Sequence, residues 1–204
     1  RGPGVRPFDL VAGAGQATAD FQRELDDSQG ETYGYVAIYP YYADYTSTPE
    51  SDRTNPSFDQ ASNTLTFNLP AKYKNLDNLD MVRIPMVAVL DMSATGDKHQ
   101  ASFKYVGGAV KMTLKNVPSK AKYFKLWAVG KNISGNYTIN LNDVGTGTLQ
   151  GNGSANTVEL QLKEGKKAET LEVYFPVPAG TYTLGIGVYG DGIVYLEKTA
   201  SKEN

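Results

Sequence analysis

The sequence predicts an all-β protein, an antiparallel β-sandwich with long loops and little helix. Apolar and polar residues alternate through 171–175 and 182–188, as expected of strands with one buried face. Asp191-Gly192 then precedes another apolar run, and this dipeptide is a strong signal for a two-residue hairpin. Similar short runs recur about every 8 to 15 residues, and no helical pattern exceeds about two turns. Stacked sheets of short strands accommodate such a chain.

The predicted strands are short, and residues that favour turns separate them. Residues 64–69 show the clearest alternation of apolar and polar side chains. Residues 84–90 are apolar almost throughout, which indicates a strand covered on both faces. Gly107-Gly108 predicts a second two-residue hairpin between the strands on either side of it. In chain order the predicted strands occupy 32–39, 64–69, 84–90, 101–106, 109–115, 123–129, 137–141, 158–162, 171–175, 182–188 and 193–198.

Three segments are predicted to contribute little regular structure. Residues 1–30 are rich in Gly, Ala, Pro and polar residues, so we expect a loosely structured N-terminal segment with a weak edge strand near 8–11. Residues 41–58 are polar and interrupted by prolines, which predicts a long surface loop. Residues 71–81 fit either a short helix or a loop. We treat residues 1–204 as one β-sandwich domain, since sandwiches of this length are common.

The composition excludes several classes of function. The formal net charge is −2, so no strong basic surface is available for nucleic acid. The chain has no cysteine, which rules out disulfides, thiolate catalysis and cysteine-based zinc sites. No apolar run approaches the roughly 20 residues that a membrane-spanning helix needs.

No motif in the sequence predicts an enzyme, a cofactor or a metal site. His99 is the only histidine and lies in a polar turn, where a solvated surface side chain is the simpler interpretation. Asp77 and Asp80 lack the ligand spacing of a calcium loop. The glycine-rich run at 185–192 is followed by no helix, so it does not form a phosphate-binding loop. Glycines inside a strand instead favour close packing against the backbone or a bulge.

The aromatic residues suggest one functional hypothesis, that the chain is a surface glycan-binding module or adhesin. The chain has 14 tyrosines and one tryptophan. Aromatic side chains that stack on sugar rings are candidates at four positions, Tyr41, Tyr42, Tyr45 and Trp127. The alternative is that these rings pack in the core and along the sheets, as strand tyrosines commonly do.

Three stretches in a fixed order carry a resemblance to a known family. They are YVAIYPYYAD at 35–44, FKYVGGAVKMTLKNV at 103–117 and PAGTYTLGIGVYGDG at 178–192. Their order and spacing resemble the fimbrillin-like proteins, which are subunits of type V pili and related surface lipoproteins of anaerobic bacteria. The resemblance extends over about residues 18–198.

The resemblance implies a transthyretin-like β-sandwich, the first of two such domains in an exported lipoprotein of the outer membrane and cell surface. An arginine-specific protease removes an N-terminal strand from such subunits, which leaves a groove open. A strand from another subunit then fills this groove. Arg23 is the candidate cleavage site, and a solvated surface charge is its alternative role. The implied partners are other pilus subunits, with a host protein or glycan as a further partner. No lipoprotein cysteine is present, so we expect these residues to be a fragment of a longer subunit, with its lipid anchor outside them.

Overall fold

The computed structural model describes residues 9–12, 20–22, 35–39, 56–59, 61–76, 85–90, 101–143, 149–163 and 171–202. Strands hold 64% of the described residues, and the helical content is limited to a 3₁₀ turn at Leu141–Asp143, which confirms the all-β sandwich prediction. The strands are β1 (Asp9–Ala12), β2 (Asp20–Gln22), β3 (Tyr35–Tyr39), β4 (Ser57–Asp59), β5 (Thr64–Leu69), β6 (Lys72–Leu76), β7 (Met86–Leu90), β8 (Lys104–Tyr105), β9 (Gly108–Leu114), β10 (Tyr123–Ala128), β11 (Gly135–Asn140), β12 (Thr157–Leu162), β13 (Leu171–Val177), β14 (Tyr182–Gly190) and β15 (Ile193–Lys202).

A five-stranded sheet with the order β15-β14-β10-β12-β6 is the largest sheet of the described chain. Strand β6 runs parallel to β12, whereas the other pairs of this sheet are antiparallel. A two-stranded layer of β13 and β9 contributes side chains to the same core. The remaining sheets have the orders β11-β5-β4, β3-β7-β8 and β1-β2.

The first buried cluster joins the five-stranded sheet to the β9–β13 layer. On β10 every second side chain points inward, so Phe124 and Leu126 are fully buried. Val173 and Phe175 meet them from β13, because the same alternation holds there. Burial of each such side chain stabilises the fold by roughly 1.5–3 kcal/mol.

The second buried cluster joins the sheets β11-β5-β4 and β3-β7-β8. Leu65, Phe67 and Leu69 of β5 are all at least 98% buried, as the alternation at 64–69 predicts. Val87 and Ala88 of β7 point to opposite faces, and both are buried. The prediction of a strand covered on both faces is therefore confirmed at the centre of β7.

The predicted hairpin at Gly107-Gly108 is wrong. Strand β8 pairs with β7, whereas β9 pairs with β13, so the chain passes from one sheet to another at this point. Gly107 has φ +90°, which a glycine adopts without strain. Two glycines between apolar runs thus mark a sharp change of direction without specifying that the flanking strands pair with each other.

Two other segments differ from the sequence-based expectation. Lys72–Leu76 forms β6 rather than a short helix or a loop, because it pairs in parallel with β12, which lies far along the chain. Ser57–Asp59 forms β4 at the end of the predicted long loop, where it extends the sheet through β5. Both are short strands whose partners are not apparent from the local pattern.

Candidate functional site

A shallow depression of about 320 Å³ lies on the outer face of the five-stranded sheet, opposite the first buried cluster. Six side chains from four adjacent strands and the residue before β12 line it: Lys125, Trp127, Asn156, Thr157, Tyr189 and Glu197. The lining combines two aromatic rings with a cation, a carboxylate, an amide and a hydroxyl. Such a mixture of apolar surface and polar groups is typical of sites for small ligands.

The register of the sheet brings these residues together. Trp127 lies opposite Gly185 on one side and Thr157 on the other. Lys125 lies opposite Gly187 of β14. Because strand residues two apart share a face, Lys125 and Trp127 point outward while their neighbours point into the core.

Two glycines provide the surface on which the aromatic rings rest. A Cβ added to Gly185 would lie 2.0 Å from Cε2 of the Trp127 indole. A Cβ added to Gly187 would lie 2.3 Å from the hydroxyl oxygen of Tyr189. Since real Cβ atoms do not approach other atoms so closely, both rings occupy space that only glycine leaves empty. The indole and the phenol therefore lie against the backbone of β14.

Tyr189 is held in place by its neighbours. Its ring stacks on that of Tyr123, with centroids 4.9 Å apart and planes 8° from parallel. Its hydroxyl donates a hydrogen bond to Oε1 of Glu197 at 2.7 Å. Burial, followed by the hydrogen bond to Glu197, raises the pKa of Tyr189 to about 12. The phenol therefore remains protonated and oriented well above neutral pH.

A second surface of interest lies where the two-stranded β9–β13 layer faces the five-stranded sheet. We call it the open margin and define it by four half-buried apolar side chains that pack against the first buried cluster: Met112, Leu114, Ile186 and Leu196. On β9, burial decreases from Val110, which is 4% exposed, towards Leu114. Within the described residues, two strands thus cover five, and part of the apolar face remains accessible.

The other face of the β9–β13 layer is polar. The Lys111 ammonium lies 2.7 Å from Oε1 of Glu172 and 5.5 Å from the ring centre of Tyr174. The hydrogen bond to Glu172 is the main reason that the pKa of Lys111 is raised. In sheets with one solvent-exposed face, charged side chains of this kind lie on that face. A strand added beside this layer would therefore need one apolar and one polar face.

Of the aromatic residues predicted to stack on ligands, Trp127 lies in the depression. Tyr41, Tyr42, Tyr45 and Arg23 lie outside the described residues. Tyr123, Lys125 and Trp127 share the outward face of β10, because residues two apart in a strand point to the same side. Sequence reasoning missed Tyr189 and Glu197 as parts of the site.

A signal for Tyr189 was present in the sequence. Tyr189 continues the alternation of Gly185 and Gly187, so all three are expected on one face of β14. The glycine-rich run in this strand predicts close backbone packing or a bulge. Aromatic rings pack on both Gly185 and Gly187, and the pairing of β14 with β15 shifts register between Val188 and Tyr189.

Comparison of the chain with known protein families, curated proteins and solved structures finds no significant match. Within the ranges that the structure describes, no group of three or more acidic or histidine side chains is arranged to hold a metal ion. The same ranges contain no helix that is long and apolar enough to cross a bilayer.

Proposed function

We propose that this chain is a structural domain of a cell-surface fimbrial subunit that polymerises by addition of a β-strand from another subunit. The open margin is the observation that carries this proposal. An added strand would extend the two-stranded layer, satisfy backbone groups at its edge and cover apolar side chains that remain half-buried. In this proposal the sandwich is transthyretin-like, and the subunit is an exported lipoprotein that supports adhesion.

The geometry also specifies what the added strand should look like. Its inward residues would contact Met112 and Leu114, so they should be apolar. Its outward residues would continue the face that carries Lys111 and Glu172, so they should be polar or charged. Alternation of this kind fits a strand taken from a sister subunit of the same all-β class.

Electron microscopy after treatment with an arginine-specific protease tests the proposal. We expect the wild-type protein to form filaments, and we expect Arg23→Ala to prevent them if cleavage there opens the groove. Leu114→Lys places a charge on the inward face of β9 and should block assembly. Thr113→Lys, on the exposed outward face one residue earlier, is the matched control and should still assemble.

Circular dichroism would first establish that both lysine variants are folded. Wild-type protein that stays monomeric under all conditions would refute polymerisation. Filaments formed equally well by folded Leu114→Lys would show that the open margin is not where the strand is added.

A further inference from the structure

We propose that the depression around Trp127 binds the face of a neutral sugar ring within an oligosaccharide. This site lies on the outer face of the five-stranded sheet, so the inference goes beyond the proposed strand addition and does not depend on it. The juxtaposition that carries it consists of two aromatic rings laid on glycines, with a cation and a carboxylate beside them.

The aromatic rings of Trp127 and Tyr189 give the site its apolar surface. The indole of Trp127 covers Gly185, and the phenol of Tyr189 covers Gly187. Gly185 and Gly187 carry no side chains, so nothing from those two positions stands above the rings. A pyranose ring has an apolar face of C–H groups that packs against an aromatic surface of this kind. Tyr123 stacks on one face of the Tyr189 ring and so fixes its position.

The polar groups at the rim match hydroxyl groups. Lys125 supplies donors, Glu197 supplies acceptors, and Asn156 and Thr157 supply both. Glu197 already accepts the hydrogen bond of the Tyr189 hydroxyl, which fixes its carboxylate, and a carboxylate can accept further bonds. A sugar hydroxyl both donates and accepts, so it can pair with any of these groups.

The charges of the site favour a neutral ligand over an anionic one. Lys125 and Glu197 contribute opposite charges to the lining. Glu159 lies opposite Lys125 in the sheet register and adds a second carboxylate nearby. Lys72 lies opposite Glu159 on the neighbouring strand, so this face carries two ammonium groups and two carboxylates and has no net charge to attract a phosphate, a nucleic acid or an acidic sugar. The net charge of −2 for the whole chain acts in the same direction.

The size of the depression sets the length of ligand that it holds. Its volume of about 320 Å³ is at the lower end of the roughly 300–1,000 Å³ that is usual for small-ligand sites. A site this small and open contacts a few sugar rings at most. We therefore expect weak binding to a single oligosaccharide and stronger apparent binding to a surface that carries many copies.

Tryptophan fluorescence provides a direct test, because Trp127 is the only tryptophan of the chain. Cellohexaose, xylohexaose, mannohexaose and chitohexaose would each be titrated into the protein, with calorimetry as a second measurement. We expect a saturable change of emission with at least one of them. In calorimetry, Trp127→Ala should weaken its binding about tenfold or more, which corresponds to about 1.4 kcal/mol.

Two further variants make the result specific. Glu197→Gln keeps the shape of the side chain but removes its charge, and it should weaken binding about threefold or more. Tyr105→Ala removes an aromatic ring that is 60% exposed on β8, in a different sheet, and should bind as the wild type does. Circular dichroism would confirm that each variant is folded.

Three outcomes would overturn the inference. The first is that none of the four hexasaccharides changes the emission or releases heat. The second is that folded Trp127→Ala binds as tightly as the wild type. The third is that decaproline binds at Trp127 while no sugar does, since aromatic surfaces also recognise proline-rich peptides.

Discussion

Gly185 illustrates how a single residue determines the shape of the outer sheet face. Any side chain at this position would compete with the indole of Trp127 for the same space. The glycine also weakens its strand, because it loses more conformational entropy on folding than other residues. Its presence in the middle of β14 is therefore explained by the ring that rests on it.

Gly185→Ala should destabilise the protein by about 1–3 kcal/mol, because the new Cβ displaces the Trp127 ring. Urea unfolding and the emission wavelength of Trp127 would measure the loss and the displacement. Gly108→Ala is the matched control. A Cβ there would lie 3.7 Å from the carbonyl oxygen of Val177, an ordinary contact, so the change should be below about 1 kcal/mol. Equal effects of the two substitutions would contradict the account.

The stability of the protein in alkaline solution should depend on Tyr137. It is 2% exposed, and burial raises its pKa to about 12. An unfolded chain releases a tyrosine proton near pH 10. As pH rises from about 10 to about 12, the unfolded state therefore loses this proton first, and the free energy of unfolding should fall.

Urea unfolding of wild-type protein and Tyr137→Phe at a series of alkaline pH values would test this. The variant should be less stable at neutral pH, since it lacks the hydrogen bond from the hydroxyl to the carbonyl of Asn132 at 3.2 Å. The free energy of unfolding of the variant should fall less steeply in the alkaline range. Some fall should remain, because the pKa of Tyr189 is also raised. Parallel curves for the two proteins would show that Tyr137 is not responsible.

At the scale of elements, the β14–β15 hairpin depends on its turn. Asp191 has φ +47° and Gly192 has φ +79°, as a two-residue turn between twisted strands requires. The Lys122 ammonium pairs with the Asp191 carboxylate beside this turn. The hairpin predicted at Asp191-Gly192 is confirmed, and it sets the position of Glu197 in the depression around Trp127.

Gly192→Ala should lower the free energy of unfolding by about 1–2 kcal/mol. Nothing lies within 4 Å of the added Cβ, so the cost comes from the backbone conformation alone. Gly192→Asn should cost clearly less, because asparagine tolerates positive φ better than alanine does. Thermal unfolding of both variants would measure the difference, and an equal cost for Ala and Asn would refute the explanation.

At the scale of the molecule, short connections link the two buried clusters. Only Pro70 and Ala71 separate β5 from β6, and only Val106 and Gly107 separate β8 from β9. Ser134, at the start of the path into β11, is fully buried, and its hydroxyl donates to the carbonyl of Thr157 at 2.8 Å. We therefore expect the two clusters to unfold together.

Leu126→Ala in the first cluster and Leu65→Ala in the second test this expectation. Each should cost about 2–5 kcal/mol, because a buried leucine leaves a cavity when it is truncated. Calorimetry should show one transition that shifts downward in both variants. Two transitions, with each substitution lowering only its own, would show that the clusters are independent units.

The sequence by itself determined the buried faces of the strands with clear alternation. Alternation at 64–69 and along β10 is a local property, because neighbouring strand residues point to opposite sides whatever the partner strand is. The Asp191-Gly192 turn is also a local property, since its backbone conformation depends on these two residues. The tyrosine and arginine positions outside the described residues stay predictions.

Only the tertiary structure decided which strands pair and where the candidate surfaces lie. Gly107-Gly108 joins two sheets, and β6 pairs with a strand more than 80 residues away, as Tyr73 opposite Leu160 shows. Trp127 and Gly185 meet through the register of β10 and β14. Pairing over such distances depends on the burial that the whole fold achieves, so no single stretch of residues encodes it.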